Sequence, residues 1–470
     1  MVAAGSWWSI GFGFAVMVVL TRLLPAEAFG AFALATYVAG LVMLQPKMAV
    51  GVAFARHRDD GDADLYSYVA IEVALAVGSL VPAAVALALL PAALRALFAA
   101  LVLASVVQGL GNPLAILLEK QLDFPRLAAL QVAAVTVSYL PAIWLATRGA
   151  GAWSLAAQNI SFAVLTLGGL AWLNRSGLAR ILRCEHRFDR QRARQLATFG
   201  LTAGAASLAA NQAATLDTFL VGALRGTAAL GFYDRGSRTA QWPALLFNAI
   251  SSRTALYAYA RLDGDRAGLG RTVTLSAWFI GAAAFPLAVV VFVTAPELIT
   301  LLFGERWLPS VPYLRILLLA SVLRPLWENA SALFNGIGKP RVVIGIIVAQ
   351  VGVLVALGVP LTLLLGAIGA GIASSTAMLL GMVLIHRRLR RELGISLGRA
   401  LACPALAAAL ALAGGLAVAR TAALAALAPA PRLALEAAVV VVVFAAALLA
   451  LQPAVVRERL ATVRRLSRAR

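Results

Sequence analysis

The chain has 470 residues, 62% of them hydrophobic and only 13% charged, with a mean hydropathy of +0.89. A soluble domain is about half apolar and a quarter charged, so this composition excludes an ordinary water-soluble fold and points to a chain dissolved in lipid. The net charge of +20 suits anionic headgroups rather than nucleic acid, because no interleaved aromatic and basic motif accompanies it.

A helix needs about 20 apolar residues to cross the hydrocarbon core. In chain order the candidate spans are 2–21, 29–48, 65–90, 92–110, 127–147, 153–173 and 198–224. They continue with 241–259, 272–294, 312–334, 342–365, 367–385, 400–419 and 433–451. The fold class is therefore all-α integral membrane protein with about 14 transmembrane helices. The N-terminus lacks the basic region of a cleavable signal peptide and runs directly into the first span. If it starts in the cytoplasm, inner loops and tail hold 27 lysines and arginines against 9 on the outer side, Arg95 at the start of span four included. That bias predicts an inner-membrane protein with both termini cytoplasmic. The largest contribution is the loop "NRSGLARILRCEHRFDRQRARQ", read as an amphipathic linker on the headgroup surface.

Cys184 and Cys403 lie far apart, and His57, His186 and His386 sit beside arginines without ligand spacing, so no disulfide framework or metal is expected. No P-loop or dinucleotide fingerprint occurs, and no cofactor or catalytic residue is expected.

Weak internal symmetry runs through the chain. "LLPAEAFGAF" before span two aligns with "LRGTAALGFY" before span eight, placing Gly30 on Gly231 at an offset of 201 residues. Pro125-Arg126 aligns with Pro340-Arg341 at an offset of 215, and Gly151-Ala152 with Gly369-Ala370 at 218. Matches at equivalent span starts predict two parallel six-helix lobes and a central cavity, with two helices added at the C-terminus. The domain boundaries follow: a lobe over 1–173, a basic linker over 174–197, a lobe over 198–386, two more helices over 387–452 and a basic tail over 453–470.

Two segments carry a resemblance. "LFGERWLPSVPYLRILLLASVLRPLWENASALFNGIGKPR" has an "LFG-x-x-W" turn, an apolar span and a "G-x-G-K-P" turn; "LDTFLVGALRGTAALGFYDRGSR" has an aspartate within span seven and then "ALGFY". Together with "LTRLLPAEAFGAF" they resemble the oligosaccharide flippases of O-antigen, capsule and exopolysaccharide pathways, within the multidrug/oligosaccharidyl-lipid/polysaccharide exporter superfamily. The short N-terminus departs from that family's basic leader. The resemblance implies a transporter, not an enzyme, moving an undecaprenyl-diphosphate-linked oligosaccharide by alternating access. Its partners would be that lipid-linked oligosaccharide, membrane lipids and a polysaccharide polymerase, with no nucleic acid. A multidrug-type antiporter or a lipid II flippase of the same superfamily is the alternative, and a membrane glycosyltransferase or polymerase a more distant one.

Ionisable residues at bilayer depth are costly, which makes each a functional candidate. Lys47 and Glu72 border spans two and three and either snorkel, pair with each other, or couple and gate transport. Asp217 lies on span seven beside a polar stripe of Ser207, Asn211, Thr215 and Thr218 at spacings of 4, 4 and 3. The stripe offers Asn211 and Thr215 to a cavity, while Asp217 either pairs with Arg225 or Arg253 or serves coupling and gating. Arg253, Arg315 and Arg324 are cavity candidates for a diphosphate, because guanidinium groups replace phosphate hydration with bidentate hydrogen bonds. Glu328, one turn after Arg324, either neutralises it or gates it. Pro46, Pro141, Pro243, Pro286, Pro325 and Pro360 in or near spans offer points of bending.

Overall fold

Without water to satisfy its backbone, an apolar chain must pair its own N–H and C=O groups locally, which favours helix. The computed structural model describes residues 2–43, 50–55, 61–183, 188–198, 200, 204, 215–243, 259, 265–421 and 427–453, and no strand occurs among them. The chain divides into two compact units, Met1–Gly231 and Phe232–Arg470.

The first unit holds α1 (Val2–Leu23), α2 (Ala26–Val42), α3 (Val50–Ala55), α4 (Asp62–Leu89), α5 (Ala92–Leu110), α6 (Asn112–Lys120), α7 (Phe124–Thr147), α8 (Ala152–Leu173) and α9 (Arg175–Arg183). The division between units falls inside α10 (Leu216–Ala240). The second unit continues with α11 (Arg266–Val293), α12 (Ala295–Phe303), α13 (Val311–Gly336), α14 (Pro340–Leu365), α15 (Ala367–Leu393), α16 (Gly398–Ala419) and α17 (Pro429–Leu451).

Nine helices among the described residues are long and apolar enough to cross a bilayer. Spans one and two correspond to the shorter apolar helices Trp7–Leu23 and Ala26–Val42. Span ten is α13, 26 residues long and bearing Arg315, Arg324 and Glu328. Most of spans seven and eight lies outside the described residues. Large apolar side chains point outward, with Leu89 81% and Leu364 78% exposed, as a lipid solvent requires.

Local chemistry explains the boundaries. Pro25 and Pro91 stand in extended conformation ahead of α2 and α5, where a missing N–H does no harm. Asp123 caps α7, its side chain accepting from the Arg126 amide at 3.4 Å. Gly151 (φ 58°) and Gly366 (φ 70°) start α8 and α15 in a conformation that excludes most side chains. The two glycines are 215 residues apart, the offset of the Pro-Arg match, so the third repeat match pairs Gly151 with Gly366 rather than Gly369. Pro141, Pro286, Pro325 and Pro360 lie inside continuous helices, while Pro46 is outside the described residues.

The stretches between expected spans that hold α6 and α12 are helical, and one further boundary departs more sharply. The stretch 225–240 was expected as an outer loop, but Gly226 (φ 82°, ψ 177°) makes the turn alone and 227–240 is helical. That arm of α10 crosses α2 at two glycines. A Cβ on Gly30 would collide with the Thr227 carbonyl, and one on Gly231 with the Ala26 carbonyl. The two contacts are reciprocal at the same 201-residue offset as the sequence repeat.

The basic linker is held against α4. Asn174 caps α9 by accepting from the Gly177 amide at 2.9 Å, Arg180 pairs with Asp62 at 2.9 Å and Arg192 with Asp64 at 3.0 Å.

Candidate functional site

Charges on α13 form the centre of the site expected from sequence. Arg315 lies near its start and donates Nε–H to the Phe292 carbonyl at 3.0 Å, closing off the end of α11. Its guanidinium also sits 5.1 Å from the Phe292 ring centroid. Arg324 is half-buried at the middle of the helix. Nine residues separate the two arginines, which at 100° per residue puts them on roughly opposite faces of α13. They cannot both line one side of this helix.

Glu328 lies on nearly the same face as Arg324, yet among the described residues the two form no ion pair with each other. The next residue, Asn329, is buried in a closed polar ring. Tyr259 donates to its Oδ1 at 2.9 Å, its amide donates to Ser276 at 2.9 Å, and Ser276 lies 3.1 Å from the tyrosine hydroxyl. Arg324, Glu328 and this ring give α13 a polar layer at mid-depth.

In the first unit Asp217 is buried at the start of α10 and accepts the Thr218 amide at 2.8 Å. Phe219 beside it stacks on Tyr37 of α2 at 5.2 Å. Thr215 is exposed and its carbonyl accepts from the Thr218 and Phe219 amides. Glu72 is buried on α4 one turn after Tyr68, which stacks on Phe54 at 4.8 Å, with Lys120 over the other ring at 4.3 Å. Lys47, Asn211 and Arg253 lie outside the described residues.

Three charge groups escaped the sequence-based list. On α10, buried Asp234 takes Arg235 at 2.8 Å and Arg238 at 2.9 Å. Between α12 and α17, Arg432 Nε lies 2.9 Å from Glu297 and 3.0 Å from Glu436, both buried carboxylates. At the other membrane face, Arg341 of α14 and Arg387, Arg388 and Arg391 of α15 ring a pocket of about 350 Å³. The first group was hidden by the loop expected there. Glu436 was legible as an acid inside an apolar run, and the last group as spacing within a basic segment.

Among the described residues no cluster of histidine, cysteine, aspartate and glutamate could hold a metal. The arrangement suits binding of an anion by cations at and below the membrane surface.

Residues 19–312 match the family described as polysaccharide biosynthesis protein. The lipopolysaccharide biosynthesis protein WzxC of Escherichia coli is 23% identical over 353 residues, 72% of this chain and 70% of that protein. The succinoglycan biosynthesis transport protein ExoT of Rhizobium meliloti is 23% identical over 344 residues, 71% of this chain and 67% of that one. The teichuronic acid biosynthesis protein TuaB of Bacillus subtilis is 28% identical, but over 31% of this chain and 30% of its own length. Among solved structures, the lipid II flippase MurJ in an inward closed conformation superposes with a TM-score of 0.75 at 14% identity, over 97% of this chain and 99% of that one. The fold is thus that of a multi-pass membrane transporter, and with more than half of its length matched the chain belongs to the polysaccharide biosynthesis protein family.

Proposed function

We propose that this protein is a flippase carrying an undecaprenyl-diphosphate-linked oligosaccharide across the bacterial inner membrane for surface polysaccharide synthesis. Both termini lie in the cytoplasm, as the 27-to-9 distribution of basic residues supports. The observation that carries the reading is Arg324, a half-buried cation midway along α13 with no ion pair to a carboxylate among the described residues. A cation left in that position invites an anionic partner.

A diphosphate cannot cross hydrocarbon with its charge unmatched. Arg324, with Arg253, replaces its hydration by charge-assisted hydrogen bonds, and Glu328 on the Arg324 face competes for the guanidinium when cargo leaves. Asn211 and Thr215 meet sugar hydroxyls, whereas Asp217, Lys47 and Glu72 serve coupling and gating. Arg315, directed at the Phe292 carbonyl, is the weakest of the cavity candidates. The polyprenyl tail stays in lipid throughout. The two six-helix lobes at 1–173 and 198–386 are the moving parts, the helices over 387–452 an addition, and a polysaccharide polymerase the consumer of the flipped product. The family match, and relatives named for lipopolysaccharide and succinoglycan biosynthesis, support a sugar cargo.

The test is deletion of the gene followed by assay of the lipid-linked intermediate and of surface polysaccharide. The intermediate should accumulate facing the cytoplasm and polysaccharide should be lost, with rescue by wild type but not by Arg324→Ala. Normal polysaccharide with altered drug tolerance would point instead to a drug antiporter.

A further inference from the structure

The pocket at the shared membrane-surface ends of α14 and α15 is graded from charge to grease. Arg341 on α14 and Arg387, Arg388 and Arg391 on α15 form its mouth. One helical turn deeper, Gly345 and Ile346 face Leu384 across the gap. Leu384, Arg387, Arg388 and Arg391 stand at i, i+3, i+4 and i+7, so one face of α15 passes from apolar to basic as it leaves the membrane.

Acids among the described residues do not balance this mouth. Glu392 lies 3.5 Å from Arg388 and is already bound by Lys339 at 2.6 Å. Arg341, Arg387 and Arg391 form no ion pair among the described residues. Like charges one turn apart repel, so an anion among them is favoured. The anion's form follows from the pocket's shape. A charged rim over an apolar floor, at the end of two spans, fits an amphiphile whose phosphates sit at the rim and whose first methylenes descend. Guanidinium groups on two facing helices match two phosphates held a short distance apart.

We propose that this pocket is a binding site for a resident bilayer lipid of the diphosphatidylglycerol class, bridging α14 and α15 through its two phosphates. It rests on the membrane fold alone and does not depend on the identity of the cargo.

Full-length protein in detergent, titrated with cardiolipin and read by native mass spectrometry, tests the site. Wild type should retain cardiolipin, with the Arg341→Gln/Arg387→Gln/Arg391→Gln variant about tenfold or more weaker. Arg399→Gln, an exposed arginine on α16 outside the pocket, should bind as wild type. Gly345→Leu keeps every charge but fills the floor, where an added Cβ meets nothing within 4 Å. It should lose cardiolipin too, and a thermal unfolding curve of each variant reports whether it is folded. Retention by Gly345→Leu at wild-type strength would reduce the site to a charged surface and overturn the proposal. So would phosphatidylglycerol or inorganic pyrophosphate competing as well as cardiolipin. Displacement of cardiolipin by an equal concentration of undecaprenyl diphosphate would also overturn it, giving the pocket to the cargo instead.

Discussion

Arg432 and the four arginines around Gly345 stand at opposite faces of the second unit in contrasting company. Arg432 is shared by two buried carboxylates, Glu297 (6% exposed) and Glu436 (0%), at 2.9 and 3.0 Å. Among the described residues the pocket arginines have one acid, Glu392, already engaged by Lys339. In the first place two buried acids share Arg432, with Arg315 also within electrostatic reach of both, and Arg432 holds α12 to α17. In the second cations outnumber the acid and sit at the surface, where an outside anion can reach them. Neighbouring carboxylates, more than depth alone, separate an arginine that holds the fold from one available to a ligand.

The largest effect should follow from breaking the balanced side. Arg432→Ala leaves Glu297 and Glu436 facing each other, with the second oxygen of each already lacking a hydrogen-bond partner among the described residues. Loss of one partner from a buried ion pair costs about 3–5 kcal/mol. A thermal unfolding scan in detergent should show a marked drop, largely recovered when Glu297→Gln and Glu436→Gln are added. A drop no larger than an exposed pair produces, or no recovery, would mean that the carboxylates are not held by Arg432.

Asp234→Asn probes the same principle on α10 with a somewhat smaller expected effect. The carboxylate serves both Arg235, 4% exposed, and the more exposed Arg238, and an asparagine oxygen still accepts a hydrogen bond from one of them. A cost of roughly 1–3 kcal/mol is expected for the lost charge-assisted bonds. Chemical denaturation of Asp234→Asn against Asp234→Ala separates charge from hydrogen bonding, and Ala should be the worse of the two.

That cluster also marks the limit of what hydropathy reveals. Apolar runs, the basic bias and the prolines and glycines at their ends made most spans legible, because in lipid those features follow from backbone satisfaction alone. Asp234, Arg235 and Arg238 misled, since three charges in five residues look like a solvated loop. The i, i+4 pairing of Asp234 with Arg238 neutralises them within a helix, a compensation that average hydropathy does not register. Glu436 was diluted by the apolar residues around it. Gly226 was legible as a turn residue, but its positive φ and its role as the sole break in α10 required the backbone. The repeat register slipped for a related reason: Gly366 and Gly369 are equally good letters, and only the positive φ of Gly366 identifies the partner of Gly151.

Arg324 tests the unbalanced side at depth. With no ion pair among the described residues, its removal should change stability by less than about 1 kcal/mol. Transport should suffer far more. In proteoliposomes loaded with a lipid-linked oligosaccharide, Arg324→Ala should slow translocation by about tenfold or more, the loss of one charge-assisted phosphate contact. Arg324→Lys, which keeps the charge but not the planar fork, should fall between the two. An unfolding penalty as large as that of Arg432→Ala would instead make Arg324 a structural cation.

The smallest effect on stability should come from Arg387→Gln at the pocket mouth. Arg387 is exposed and forms no ion pair among the described residues, so in lipid-free detergent the variant should unfold within about 0.5 kcal/mol of wild type. A slight gain is the expected sign, because the substitution relieves repulsion from Arg391 one turn away. Added cardiolipin should then stabilise wild type more than the variant, since a ligand that binds only the folded state stabilises in proportion to its affinity. The paired cluster behaves the other way: Arg432→Ala should carry its full deficit with or without lipid, because what it lost was an internal partner. If Arg387→Gln instead unfolds as readily as Arg432→Ala in lipid-free detergent, the four pocket arginines are bound into the fold by contacts of their own, and the contrast between the two faces collapses.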